Sequence, residues 1–167
     1  WSTDLLSKLV RSEHIELTSK TPINPRNLIK IARETASDSQ LVRRVSTSFL
    51  QRTGNSLAVP EIKVDVFDQK ESRFRIYGDQ DLIEGCVSNL IENAFKYSIP
   101  TSTIEVRIEL EYHWVVLTVR NRPLPGMQID AETVKNCKKK GWRSDSARAT
   151  DADGVGLGLW LVDRIMV

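Results

Sequence analysis

Two asparagines four residues apart, Asn89 and Asn93, are followed by Lys96 and Tyr97 in the stretch "SNLIENAFKYS". On a helix turning about 100° per residue, Asn89, Asn93 and Lys96 fall within roughly a sixth of the circumference. They border an apolar face made of Leu82, Ile83, Cys86, Val87, Leu90, Ile91 and Ala94. Amide oxygens can coordinate a hard cation such as Mg²⁺, which takes its remaining ligands from water and substrate phosphates. A lysine three residues beyond Asn93 can reach a phosphate oxygen. The same side chains also suit the solvated rim of an ordinary helix, so this stripe alone leaves both readings open.

A second constellation lies near the end of the chain. Gly154, Gly156 and Gly158 in "DGVGLGLWLVDRI" let the backbone approach a ligand closely, and the helix that follows begins with free N–H groups and a positive dipole end. The spacing lacks the GK[ST] of a P-loop, and Leu159 stands where a dinucleotide fingerprint needs its third glycine. Read in isolation, the glycines serve equally well as a structural turn. Between the two constellations, Lys138, Lys139, Lys140, Arg143 and Arg148 gather positive charge that can draw in a polyphosphate or can simply be solvated.

Positioning these groups requires a mixed set of elements. The opening "WSTDLLSKLVRSEHIEL" has helical spacing of Leu5, Leu6, Leu9, Val10 and Ile15. Asn24 as cap and Pro25 at the first helical position predict a helix over "PRNLIKIARETA", and "SQLVRRVSTSFLQRT" also reads as helical up to Gly54 and Asn55. "EIKVDVF" and "RFRIY" alternate as half-buried strands do, on either side of the polar turn "DQKES". Asp79 predicts the start of a helix over residues 80–97. "TIEVRIELEY" and "WVVLTVRN" predict an antiparallel hairpin turning at His113, and an irregular basic segment of about 30 residues follows Asn121. Helices layered on a mixed sheet make an α+β domain.

Composition narrows the function. The 167 residues suffice for one domain, and 40% hydrophobic content suffices for a core. A formal charge of +2 calls for neither nucleic acid nor an anionic membrane as partner. Cys86 and Cys137 form no CxxC or Cys/His cluster, which argues against a disulfide framework or a zinc site and fits a cytoplasmic setting. No apolar run approaches the ~18 residues that span a bilayer, so no direct membrane contact is expected of this stretch, although a parent protein can still be anchored.

In this order the motifs resemble the ATP-binding catalytic domain of sensor histidine kinases, within the GHKL superfamily that also includes DNA gyrase. "NLIENAFKYS" is similar to its N box, "DGVGLGLWLV" to its second glycine box, and "GWRSDSAR" to its lid. The resemblance runs from about Ile23 to Val167. It implies a two-layer α/β sandwich with a mixed, mainly antiparallel sheet, the Bergerat fold, over residues 21–167. Residues 1–20 would be the end of a dimerisation or linker helix.

By position, Asn93 would be the Mg²⁺ ligand, Asn89 would assist with metal or phosphate, and Lys96 would contact phosphate. Tyr97 would lie against the nucleotide. Gly154, Gly156, Leu157 and Gly158 would cradle the phosphates, with Arg143 and Arg148 above them in the lid. The implied reaction moves the ATP γ-phosphoryl group to a histidine and then to the receiver domain of a response regulator. A homodimer would form through the upstream helical hairpin.

Hydrolysing relatives place a glutamate where Asn89 stands, so transfer fits better than hydrolysis. The first glycine box departs from the family's D-x-G-x-G, since the chain reads "VRNRPLPGM" and Asn121 stands nearest the adenine-binding aspartate. A further strand pair follows this region in the family, so the sheet is expected to be incomplete at Val167. "RSEHIEL" lacks the family's acceptor order, which makes His14 a surface or interface residue and places the acceptor elsewhere. His113 has no partner acid or base nearby in sequence. The alternative is a degenerate, non-catalytic GHKL-like module acting through protein contacts.

Overall fold

The computed structural model describes residues 21–38, 47, 60–65, 75–127, 129–150 and 154–166. The expected helix over 1–20, with His14, lies outside the described residues, as do the turn "DQKES" and, except for helical Thr47, the helical reading over 39–53. In chain order the elements are β1 (Thr21–Ile23), α1 (Arg26–Ser37), β2 (Glu61–Asp65), β3 (Ile76–Gly78) and α2 (Gln80–Tyr97). They continue with β4 (Thr103–Glu111), β5 (Trp114–Arg120), α3 (Ala131–Asn136), α4 (Asp145–Thr150) and α5 (Gly158–Ile165).

Local chemistry explains where these elements begin. Asn24 Oδ1 accepts the Arg26 N–H at 3.0 Å, while Pro25, whose φ is already helical at −54°, leads into α1. The Asp79 carboxylate accepts the N–H groups of Asp81 and Leu82 at 3.1 and 3.3 Å, so α2 starts where the sequence predicts. The hairpin joining β4 to β5 turns on Tyr112 and His113, with Glu111 opposite Trp114. Tyr112 takes a φ of 56° there, the left-handed conformation that such turns demand at a first central position.

The principal sheet is mixed, in the order β2-β4-β5, with β2 parallel to β4 and β4 antiparallel to β5. A parallel pair needs a long crossover, and the segment carrying α2 supplies it. The strands flanking "DQKES" do not pair with each other: β3 instead pairs antiparallel with β1, Ile23 opposite Ile76. Along β4, Ile104, Val106 and Ile108 are buried while Glu105, Arg107 and Glu109 are exposed, so the sheet turns one face to the helices and one to solvent. Val115, Leu117 and Val119 of β5 pack on the same core as Leu28, Ile29, Ile31 and Ala32 of α1 and Val87, Ile91 and Phe95 of α2. Thr35 and Ser88 hydroxyls, 3.1 Å apart, tie α1 to α2.

Helix α2 is covered on more than one side. The expected face of Leu82, Ile83, Cys86, Val87, Ile91 and Ala94 is buried, but Phe95 is buried as well, and Leu90 is only half-buried. Trp160 and Leu161 of α5 close over Leu82 in a separate apolar cluster joined by Leu157 and Ile165. Each such side chain contributes about 1.5–3 kcal/mol on burial, which is enough to hold a two-turn helix in place.

The segment after Asn121 is more ordered than its polarity suggests. Asp130 Oδ1 accepts the Thr133 N–H at 2.7 Å to start α3, and Ser144 Oγ accepts the Ala147 N–H at 3.2 Å to start α4. Hydrogen bonds from the Thr133 backbone N–H and then its side-chain hydroxyl hold the exposed Asp130 carboxyl below its ordinary range. Neither helix has a buried residue among those described, so hydrophobic periodicity could not reveal them.

Candidate functional site

The buried face of α2 is fixed by the core, so the direction of its polar stripe is fixed too. Asn89 and Asn93 are half-buried and point at the start of α5. A methyl group placed on Gly158 would lie 3.5 Å from both Asn89 Oδ1 and Asn93 Nδ2. The absent side chain at 158 therefore leaves room directly against both amides. Asn89 Nδ2 is buried and has no hydrogen-bond partner among the described residues. An unpaired buried donor costs about 1–3 kcal/mol, a deficit that an incoming acceptor such as a phosphate oxygen removes.

The start of α5 complements those amides. Leu157 at the cap position offers no side-chain hydrogen bond, and the first turn carries no acidic residue. Its first N–H groups and the positive dipole end are thus available to an anion. Gly156 takes a φ of 70° and is followed by Leu157 in the right-handed helical region, an alternation that makes successive amides concave. A side chain at 156 would also come within 2.8 Å of the Trp142 carbonyl oxygen, so only glycine fits under the segment above it.

The other end of α2 meets the end of β5. Lys96 and Tyr97, both half-buried, lie in the last turn, with Tyr97 about 12 Å along the axis from Asn89. The Tyr97 carbonyl accepts the Leu124 N–H at 2.9 Å, and the Ile99 N–H donates to the Arg122 carbonyl at 2.9 Å. Asn121 is exposed immediately before this junction, and Pro123 bridges to buried Ser98. Pro123 of "NRPLPGM" thus sits in a short strand-like contact that needs no N–H from it, and Pro125 lies in the turn that follows.

Over the glycine turn runs the basic segment. Lys138 Nζ pairs with Asp163 of α5 at 2.7 Å, and Lys140 Nζ stands 4.9 Å from the centre of the Trp160 ring. The hydrogen bond and charge of Asp163 raise the pKa of Lys138 above its ordinary value. The Gly141 N–H donates to the Gly156 carbonyl at 3.0 Å. Arg143 donates from Nη1 to the Gly154 carbonyl at 2.7 Å and from Nη2 to the Ala147 carbonyl at 2.8 Å. The arrangement is a polar cover strapped to a helix start, facing two side-chain amides.

A family model described as "Histidine kinase-, DNA gyrase B-, and HSP90-like ATPase" matches residues 78–167. The chain belongs to this ATPase family. The sensor histidine kinase CusS of Escherichia coli is 30% identical over 141 residues, an alignment covering 71% of this chain and 29% of CusS. The sensor-like histidine kinase SenX3 of Mycobacterium tuberculosis is 27% identical over 111 residues, covering 66% of this chain and 26% of SenX3. The chain thus spans less than a third of these curated relatives' length. The solved structure of the mycobacterial sensor histidine kinase MprB has a similar fold, with a TM-score of 0.54 at 20% identity over 87% of this chain and 76% of that one.

Within this ATPase family frame, the structure brings Asn89, Asn93 and Gly158 together, and places Gly154 and Gly156 under Arg143 and Gly141. Lys96, Tyr97 and Asn121 group at the opposite end of α2. Of the basic residues, Lys138, Lys140 and Arg143 are engaged with Asp163, Trp160 and backbone carbonyls. Sequence reasoning missed Trp160 and Asp163 as the lid's anchors. The i, i+3 placement of an aromatic and an acid on α5, opposite a lysine run, is the signal that could have found them.

Proposed function

We propose that the chain is the ATP-binding catalytic portion of a sensor histidine kinase. The reading rests on one observation above the others: Asn89, whose buried Nδ2 has no partner among the described residues, and Asn93 meet the glycine turn at Gly158. In this reading residues 21–167 form a two-layer Bergerat sandwich preceded by the end of a dimerisation helix at 1–20, and the parent protein works as a homodimer in the cytoplasm. No helix among the described residues is long and apolar enough to cross a membrane.

The Asn93 and Asn89 amide oxygens are the hard ligands that would hold Mg²⁺, rotation of an amide exchanging donor for acceptor at little cost. When bound, the ion neutralises charge on the phosphate oxygens. Lys96 contributes a further positive charge, and the N–H groups at the start of α5 take phosphate oxygens. Leu157 and the three glycines shape that cradle, and Arg148 supplies charge from the lid. At the other end of α2, Tyr97 packs on the base and Asn121 accepts its amino group. Because the phosphoryl-transfer transition state is loose, holding donor and acceptor in line supplies most of the catalysis. The bond from the γ-phosphorus to its bridging oxygen breaks as a bond to a histidine nitrogen forms, and ADP leaves. A response regulator aspartate takes the group next.

Calorimetric titration with a non-hydrolysable ATP analogue, with and without Mg²⁺, tests this reading. Metal-dependent binding is expected. The replacement of the family's aspartate by Asn121 favours a second reading, a non-catalytic module acting through protein contacts, and absence of binding in both titrations would establish it over the first.

A further inference from the structure

We propose that Arg143 is a positioning residue, which helps to aim the amide N–H groups of the glycine turn by tying the turn's Gly154 carbonyl to the Ala147 carbonyl of the lid. The inference rests on the ATP-binding reading for its consequence, but its structural basis is independent of any nucleotide. The planar guanidinium, half-buried, spans two acceptors: Nη1 to Gly154 O at 2.7 Å and Nη2 to Ala147 O at 2.8 Å. A second tether, from the Gly141 N–H to Gly156 O at 3.0 Å, pulls in the same direction.

In a trans peptide unit the carbonyl of one residue and the N–H of the next point opposite ways. Fixing the carbonyls of Gly154 and Gly156 toward the lid therefore fixes the N–H groups of Val155 and Leu157 away from it. Neither N–H has a partner among the described residues. Donors aimed in advance cost no reorganisation when an anion arrives, which is where such an arrangement gains its effect.

The two lid arginines differ in this respect. Arg148 is exposed and donates from Nε to the Arg143 carbonyl at 3.3 Å, so its terminal nitrogens stay outside the clamp. Arg143 has both Nη atoms in it. A lysine at 143 would keep the charge but could not bridge two carbonyls in fixed geometry.

The test compares Arg143→Lys and Arg143→Ala with the unaltered 167-residue chain in two measurements. The first is amide hydrogen exchange without nucleotide at Gly141, whose N–H bonds the Gly156 carbonyl across the strap, where both variants are expected to exchange about tenfold faster or more. The second is Mg²⁺-dependent affinity for adenosine, ADP and an ATP analogue. ADP and the ATP analogue should weaken by a similar factor of about ten in both variants, with adenosine unchanged. Unaltered exchange in the lysine variant, or a loss confined to the ATP analogue and rescued by lysine, would overturn the proposal in favour of direct contact with the terminal phosphate. If the alanine variant fails to fold, the lysine variant decides alone. Failure of the unaltered chain to bind nucleotide would refute the ATP-binding reading and leave the exchange result standing by itself.

Discussion

Helix α2 and the lid over residues 131–150 face the same glycine turn, yet they are built by different means. In α2 an eighteen-residue helix is capped by Asp79, buried along Ile83, Val87 and Ile91, and closed by α5 at Leu82. In the lid, two six-residue helices bury nothing described, and a handful of polar contacts hold the segment down: Lys138 to Asp163, Arg143 to Gly154, Gly141 to Gly156. One wall of the site inherits the stability of the core, while the other has only local stability of its own. In the proposed ATP-binding reading, that contrast suits a site whose side-chain amides stay fixed while its cover opens to admit and release a nucleotide.

The contrast is sharpest in denaturation. Ile91 is 0% exposed and Val134 of α3 is 61% exposed. Ile91→Ala should cost about 2–5 kcal/mol in urea unfolding. Val134→Ala should stay within about 0.5 kcal/mol, and equal losses at the two sites would erase the distinction.

Each region also carries one cysteine, which makes a smaller and more local comparison. Cys86 of α2 is buried, and burial pushes its thiol from 9.0 up to about 12. Cys137, at the end of α3, is half-buried. A thiol reagent at neutral pH should label Cys137 in the native protein and reach Cys86 only at the rate of global unfolding. Because the folded value for Cys86 is raised, its contribution to stability is complete below pH 9.0 and is lost as pH climbs toward about 12. An alkaline denaturation series should show that decline, and Cys86→Ala should flatten it.

The smallest effect belongs to the exposed pair of Lys138 and Asp163. Lys138→Met should leave the melting temperature unchanged and speed amide exchange only near residues 138–141, with high salt reproducing the change in the unaltered chain. The raised lysine value means that the contact is complete below pH 10.5 and is lost only as pH rises past it, so exchange in this segment should not respond to pH through this pair near neutrality.

The same division governs what was legible in the sequence. Helix α2 was readable to its ends because a cap, an apolar period and a buried face agree there. Phe95 escaped because a helix packed on several sides no longer shows a single stripe. The separate pairings of β2 and β3 were hidden because register with a distant strand leaves no local mark. In the lid, α3 and α4 are too short and too exposed to carry a period, though Asp130 and Ser144 were there to be read as caps. The clamp formed by Arg143 was beyond sequence reasoning, since its acceptors are backbone carbonyls that look alike at every position. The residue types at the site were evident from spacing and family likeness, whereas the meeting of Asn89 and Asn93 with Gly158 required the fold.

Titration of an Asn93→Ala variant with a Mg²⁺-loaded, non-hydrolysable ATP analogue tests the central claim most directly. The account predicts that affinity falls by about tenfold or more with the melting temperature unchanged, because the amide lies on the ligand side of a helix whose core face is untouched. Undiminished affinity in that variant would mean that the phosphates lie elsewhere, and would contradict the placement of the site between α2 and the glycine turn.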